Sequence, residues 1–423
     1  MPANALLLQG PVGPFFLRLA NQLRRQGLRV YKINFNGGDA LFYRRGAISY
    51  RGDLAQWPHF FEEKVKVLAI DCIYLFGACR SYHAIARSVA QRHAIPTFVF
   101  EEGHLRPDYI TMEQVAPNGA SLLPRDPRFY RDLVAKEPAP ARAVGQAFGV
   151  MAAYAVAYYI AGRLYSRQYP HYQHHRPFNV FGEGGKWVRS AFGKLRDRVR
   201  ERHIQVCLQK TLKDQFFLVP LQVYCDTQVV HRSPFGGVSQ FVEAVVASFA
   251  RHASAETILV IKHHPMDRPY RDYTQLIEDL SQRYGLKKRL LYVHDLHLPT
   301  LLRQARGTVV INSTVGLSSL HHGTAVKVLG EALYDVPGLT SQASLDDFWR
   351  SPGPVDKALY RRFRSYLLIK TQINGNFYLR LASTGNPMGV VWPDAKVAHP
   401  DTQLGSSSPL LAFTGIRRKW WEA

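Results

Sequence analysis

Two stretches of this chain bring together residue types able to hold a phosphate and its sugar. One is Lys262-His263-His264-Pro265-Met266-Asp267, and the other is Asn312-Ser313-Thr314-Val315-Gly316. Each follows a β-rich apolar run, Thr257 to Ile261 for the first and Gly307 to Ile311 for the second. Each therefore sits where a parallel strand hands over to a loop or helix, the edge at which open α/β sheets bind ligands. Pro265 fixes a turn that presents the His264 imidazole. A following helix would add amide donors for a phosphate, with Lys262 as a nearby cation. Ser313 and Thr314 offer hydroxyls at a helix start, and Gly316 permits close approach. The same Ser and Thr would serve equally as a plain helix cap.

Carboxylates come next. Asp226 follows the strand-like run Leu218 to Tyr224, within Pro220-Leu221-Gln222-Val223-Tyr224-Cys225-Asp226. Glu101 and Glu102 end the apolar run Thr97 to Phe100 and lead into Gly103-His104-Leu105-Arg106-Pro107, which clusters acid, base and cation around Gly and Pro. One carboxylate attacking or shielding an anomeric carbon while a second manages a proton is what glycosyl transfer needs. A capping or ion-paired carboxylate is the competing explanation at each position. Gly10 and Gly13 could cradle a phosphate, although their spacing is not GxGxxG. The sequence has no GxxxxGK[ST], HExxH, GxSxG or DxD-like metal motif. The histidines lack Cys partners at zinc-ligand spacing, so no metal is expected.

These residues need a scaffold. Residues 1–135 alternate strand and helix: Leu6–Leu8, helix Phe15–Gln26, strand Arg29–Asn34, strand Val67–Phe76, helix Tyr82–His93, strand Thr97–Phe100. Residues 211–345 resume the alternation through Phe216–Val219, Ser239–His252, Thr257–Ile261, Leu290–Val293, Leu298–Ala305, Val309–Ile311, Leu317–Gly323 and Ala325–Leu329. The pattern is α/β, with two Rossmann-like domains facing a cleft. Between them, 136–210 reads as a basic helical insertion or linker with a local excess of +9 and interleaved aromatics. Residues 346–383 read as a helical region, and 384–423 as a flexible tail ending in Arg417-Arg418-Lys419-Trp420-Trp421.

Of the 423 residues, 54 are Lys or Arg and 32 Asp or Glu, a net charge of +22. That surplus implies an acidic partner, whether nucleic acid, anionic lipid or an acidic small molecule. No RNP, helix-turn-helix or zinc-finger pattern supports nucleic acid. The four cysteines show no paired framework and read as reduced, cytoplasmic thiols. The N-terminus reads as a first strand rather than a signal peptide. The uncharged stretch 143–162 is rich in Ala, Gly and Tyr, which favours a buried or interfacial helix over a membrane span.

Taken together, Leu8-Gln9-Gly10-Pro11, Gly13-Pro14-Phe15-Phe16, Glu101-Glu102 with Leu105-Arg106-Pro107-Asp108, Gln222 with Asp226, Lys262 with His264-Pro265 and Asp267, and Asn312 to Gly316 resemble the bacterial capsule polysaccharide biosynthesis and export family, of the KpsS/LipB type, over about residues 5–380. The resemblance implies a GT-B fold, with an acceptor-side domain at 1–135 and a nucleotide-sugar domain at 211–345. It implies a retaining β-Kdo glycosyltransferase that takes Kdo from CMP-Kdo and starts a capsule lipid linker on lysophosphatidylglycerol. Asp226 of the Gln222-x-x-x-Asp226 motif would be the nucleophile, and Glu102, or less readily Glu101, the acid/base. Lys262 and His264, with Pro265 shaping their turn, and Ser313 and Thr314 would hold the CMP phosphate or the donor carboxylate. Gly10, Gly13, His104 and Arg106 fall to the acceptor side. No cofactor is implied beyond the donor. The expected partners are the nucleotide sugar, an anionic lysophospholipid, the inner face of the inner membrane, where a cytoplasmic enzyme would sit peripherally, and other capsule assembly proteins. Relatives carry an acidic residue where this chain has Ser318-Ser319, which leaves ribose recognition open. Two rivals remain: a GT-B enzyme with another donor, and a noncatalytic export or assembly subunit.

Overall fold

Strands apolar on both faces, such as the fully buried Phe216–Pro220, belong inside parallel sheets covered by helices. The computed structural model describes residues 3–114, 118–134, 138–174, 180–382 and 384–392, and it contains two such sheets. The first is built from β1 (Asn4–Leu7), β2 (Arg29–Asn34), β3 (Ile48–Ser49), β4 (Cys72–Phe76), β5 (Thr97–Glu102) and β6 (Tyr109–Gln114). The second is built from β7 (Phe216–Pro220), β8 (Ile258–Lys262), β9 (Leu290–Val293), β10 (Gly307–Val310) and β11 (Ala325–Val328); the last strand, β12 (Gln372–Asn374), returns to the first.

The first sheet has the order β12-β6-β5-β4-β1-β2-β3. From β3 to β5 it is parallel, and β6 and β12 add antiparallel at one edge. The second sheet, β11-β10-β7-β8-β9, is parallel throughout. Counted from its own first strand, each parallel core has the order 3-2-1-4-5. The strand order therefore reverses beside β1 in one sheet and beside β7 in the other. Such a reversal opens a crevice outside the carboxyl ends of the two strands concerned. The expected α/β class with two Rossmann-like halves is what the chain adopts, each half built on its own largely parallel sheet.

Local sequence explains the helices. In Phe15–Arg25 the residues Phe15, Phe16, Leu19, Ala20 and Leu23 share one buried face. The helix stops at Gly27, whose φ of 88° suits glycine. In the second unit Phe217 of β7 meets Trp349 edge-on, with ring centroids 4.9 Å apart, inside a core that also holds Phe249 and Phe348. Helix Trp57–Val67 was not anticipated. The run expected as a strand from Val67 begins as that helix, and the strand starts only at Cys72.

The division into units departs from the expected linear segments. One unit comprises Met1–Pro117, Glu137–Val180 and Tyr366–Ala423, the other Asn118–Lys136 and Phe181–Ser365. The 136–210 stretch is thus not one insertion. Helix Phe148–Leu164 belongs to the first unit, where Gly37 and Gly38 let it approach closely. Helix Arg202–Lys210 belongs to the second, where Leu208 joins the core around Val260 and Leu301. Residues 118–134 join the second unit because Asn118 Nδ2 donates to the Asn312 carbonyl at 3.1 Å and Tyr130 packs on Phe363. The start of the expected tail is also built in: Met388, Val390 and Trp392 are buried in the first core. The basic-aromatic end at 417–421 lies outside the described residues.

Candidate active site

The loop leaving β7 and the loop leaving β10 meet at the strand-order reversal of the second sheet. Gln222 joins them. Its Nε2 donates to Asn312 Oδ1 at 2.9 Å, and its Oε1 accepts from the Asn312 N–H at 3.2 Å. The same Nε2 reaches Asp226 Oδ2 at 3.1 Å. Asp226 Oδ1 accepts from the Gln228 N–H at 3.0 Å, which caps the short helix Thr227–His231. Each oxygen of this half-buried carboxylate thus has a fixed donor, and its orientation is set before any ligand arrives.

Asn312 is fully buried and fully used, since its Nδ2 donates to the carbonyls of Gln228 and Arg232. It ties β10 to the Asp226 loop and does not face a ligand, which corrects its expected donor-binding role. At Gly316 a Cβ would collide with the ring of Tyr334, whose hydroxyl donates to the Ser313 carbonyl, so the glycine makes room for Tyr334. Ser313 Oγ accepts from the Val315 N–H at 3.3 Å, and Thr314 occupies the cap position of helix Val315–His322 without a side-chain capping bond.

β8 supplies the other motif. The His-Pro turn and the Ser-Thr turn do not lie on adjacent strand ends, because β7 runs between β8 and β10 and its Asp226 loop occupies the interval. No helix directly follows His264: a turn covers 265–270 and the next helix begins at Thr274. His264 Nδ1 accepts from the Met266 N–H at 3.2 Å, which in the neutral ring leaves the proton on Nε2 as a donor. Asp267, fully buried, accepts from the Tyr224 N–H at 2.8 Å and so pins the Asp226 loop to the β8 loop. Lys262 is buried, and its Nζ donates to the His294 carbonyl at 3.0 Å. Burial lowers its pKa to about 8, and Arg268 adds to the effect while Asp295 and Glu201 oppose it. Burial likewise lowers His263 to about 3, with Tyr292 Oη on its Nδ1 at 2.6 Å. His263 is thus held neutral within the core.

In the first unit Glu101 and Glu102 close β5, and neighbouring strand residues project to opposite faces. Glu102 is exposed and accepts from Tyr378 Oη at 3.3 Å, while Glu101 is half-buried with the Ala78 N–H at 3.5 Å. His104 is buried, its Nε2 3.1 Å from Glu113 Oε1 and its N–H on Gln372 Oε1 at 3.0 Å. It locks β6 and β12 to the loop after β5, as a scaffold residue does. Arg106 is exposed, and its Nε donates to the Gly103 carbonyl at 3.2 Å. A Cβ on Gly10 would strike Phe16 and one on Gly13 (φ 104°) would strike Tyr154, so both glycines make room for aromatic rings.

The residues at the first sheet's reversal escaped the sequence reading. Arg80, after β4, donates to Gln9 Oε1 at 2.8 Å and stacks over Phe76. Gln9 Nε2 in turn meets Tyr158 Oη at 2.8 Å and both oxygens of buried Asp39 at 3.3 Å. Only the Gln9 next to Gly10 gave any hint of this network. The others are separated by tens of residues and carry no motif.

Residues 71–378 match the family described as capsule polysaccharide biosynthesis protein. The chain is 41% identical over 374 residues to the capsule polysaccharide export protein KpsS of Escherichia coli, spanning 88% of this chain and 96% of that protein. It is 40% identical over 409 residues to the capsule polysaccharide modification protein LipB of Neisseria meningitidis serogroup B, spanning 95% and 96%. Among solved structures it is similar to KpsC of Thermosulfurimonas dismutans, a beta Kdo 2,7 transferase, with a TM-score of 0.42 and 13% identity over 91% of this chain and 94% of that one. Identity of this extent to KpsS and LipB, reaching nearly end to end, places the chain in the capsule polysaccharide biosynthesis family.

Proposed function

We propose that this protein is a retaining glycosyltransferase that moves Kdo from CMP-Kdo to a lysophosphatidylglycerol-type lipid, starting the linker on which capsule is built. The observation that carries the reading is the Asp226 carboxylate, fixed by Gln222 and the Gln228 N–H at the strand-order reversal of the second unit. A nucleophile held in one orientation is what the first of two displacements requires. Asp226 attacks the anomeric carbon and CMP departs with the bonding pair. The acceptor hydroxyl then gives its proton to Glu102 and displaces Asp226, so the configuration is retained. His264 Nε2–H and the hydroxyls of Ser313 and Thr314 are suited to the donor's phosphate or carboxylate. CMP leaves with one phosphate, so the reaction needs no metal to bridge a diphosphate. The charge of +22 suits a donor and an acceptor that are both anionic.

The test is intermediate capture. Incubated with CMP-Kdo, the Glu102→Gln protein should release about one CMP per chain and carry one Kdo on the peptide containing Asp226; Asp226→Asn should do neither. A labelled peptide elsewhere, or none with any donor, would overturn the assignment. The related protein described as an export protein favours a second reading, a noncatalytic assembly subunit. On that reading Asp226→Asn would leave capsule formation intact.

A further inference from the structure

Helix Phe148–Leu164 is apolar almost all round, with Arg163 its one charged residue. A helix of this kind is normally buried on every side. Among the described residues only one face is well covered. Tyr158 is buried against Gly38 and bonds Gln9, Asn36 and Asp39, Tyr154 lies over Gly13, and Ala161 abuts Gly37. The opposite face repeats Gly149, Ala153, Val156, Ile160 and Leu164 at helical spacing, and all five are exposed. Val156 is 59% exposed, Ile160 46% and Leu164 74%, with Phe148 at 62% at the helix start.

We propose that this outer face docks the first unit onto an anionic phospholipid bilayer, the helix lying along the surface. Its 17 residues span about 26 Å at helical rise, short of the hydrocarbon core of about 30 Å. Among the described residues no helix is long and apolar enough to cross a membrane. Charge decides between a bilayer and a protein partner. From Pro138 through Gly182 the sequence has no Asp or Glu, while Arg142, Arg163 and Arg167 are exposed at either end of the helix. Cationic ends around an apolar face, with Tyr165 40% exposed at the boundary, are the composition of an interfacial helix. The covered face bonds to Gln9 and Asp39 at the first sheet's strand-order reversal. Docking therefore holds that crevice about 10 Å, one helix diameter, from the lipid surface in which a membrane-resident acceptor would be found. This last point rests on the function proposed above; the docking itself does not.

The experiment uses the full chain and vesicles of phosphatidylglycerol with phosphatidylcholine. Flotation of a Val156→Asp/Ile160→Asp protein should fall at least about 10-fold below wild type, and wild type should bind phosphatidylcholine vesicles more weakly. Separately, the indole introduced by Ile160→Trp should show a blue-shifted, bromolipid-quenched emission on binding. Undiminished flotation of the double variant, or an emission from that indole unchanged by vesicles that bind the protein, overturns the proposal. CMP release with a short-chain, water-soluble acceptor separates the two ideas. The double variant should keep it, and loss of flotation in a protein that releases no CMP with any acceptor would leave the docking standing and the transferase reading fallen.

Discussion

Gln222 Nε2 lies 3.1 Å from Asp226 Oδ2, and the same nitrogen is 2.9 Å from Asn312 Oδ1. One amide thus couples the orientation of the Asp226 carboxylate, the proposed nucleophile, to the fully buried junction between β7 and β10. Gln222→Ala would leave the carboxylate held only through Oδ1 by the Gln228 N–H, and would leave Asn312 short of two partners. Turnover should fall about 10- to 100-fold with little change in donor KM, because misorientation acts on the reacting geometry rather than on binding. The orphaned groups at Asn312 should also cost about 1–3 kcal/mol in urea unfolding. Asp226→Ala should abolish transfer. Steady-state kinetics on both variants check this, and a Gln222→Ala enzyme with normal kcat would show that the contact does not position the nucleophile.

Glu101 and Glu102 cannot share a task, since they project to opposite faces of β5. Glu102 is exposed beside Tyr378, whose own pKa is raised first by burial and then by that carboxylate. Glu102→Gln should lower transfer by about 100-fold or more, the range for loss of a general acid/base. Glu101→Gln should stay within a few-fold of wild type. The reverse order of effects would exchange their roles.

Gly316 is held by its neighbour. Gly316→Ala sets a methyl group against the Tyr334 ring, and overpacking of that kind costs about 1–3 kcal/mol. Gly149→Ala makes a useful control: nothing lies within 4 Å of a Cβ there, and alanine favours helix by roughly 0.5–1 kcal/mol. Thermal unfolding should separate the pair, with Tm lower for the first and equal or higher for the second.

The two-sheet α/β plan was legible because parallel strands write themselves as short apolar runs, and every strand of the second sheet coincides with one. The strand order was not, because nothing in Thr257 to Ile261 says that β8 pairs with β7 rather than with β10. For the same reason the motifs stand out in the sequence while the contacts of their individual residues do not. Asn312 and Gly316 share a segment with Ser313 and Thr314, yet the first spends its side chain on the chain's own carbonyls and the second makes room for Tyr334. Asp267 looked like part of a donor-binding turn, but it anchors Tyr224 and through it the Asp226 loop. Spacing tells which residues travel together; the register and packing of other strands decide which of them face the crevice. Asp39, Arg80 and Gln9 show the limit from the other side, a polar network assembled across the carboxyl ends of β1, β2 and β4 with no motif to announce it.

Lys262 gives a pH test of the donor-side loop. Burial holds its pKa at about 8 against an ordinary 10.5. Below about pH 8 the native protein carries this charge in a buried site and bears the full penalty. Between about 8 and 10.5 the unfolded chain binds the proton more tightly than the native state does. Stability must therefore rise with pH across that window, by on the order of 3 kcal/mol for this one group. Lys262→Met removes the contribution, so the variant's stability should gain on wild type at pH 7 and lose that advantage by pH 10. Lys32, lowered to about 8 by complete burial, contributes in the same direction in both proteins, and the buried tyrosines whose pKa is raised oppose it in both. The difference between the two urea-unfolding curves therefore isolates Lys262. Parallel curves from pH 7 to pH 10 would mean that the ammonium is already solvated in the native protein, and its bond to the His294 carbonyl would then be one of several conformations rather than the lock on the end of β8.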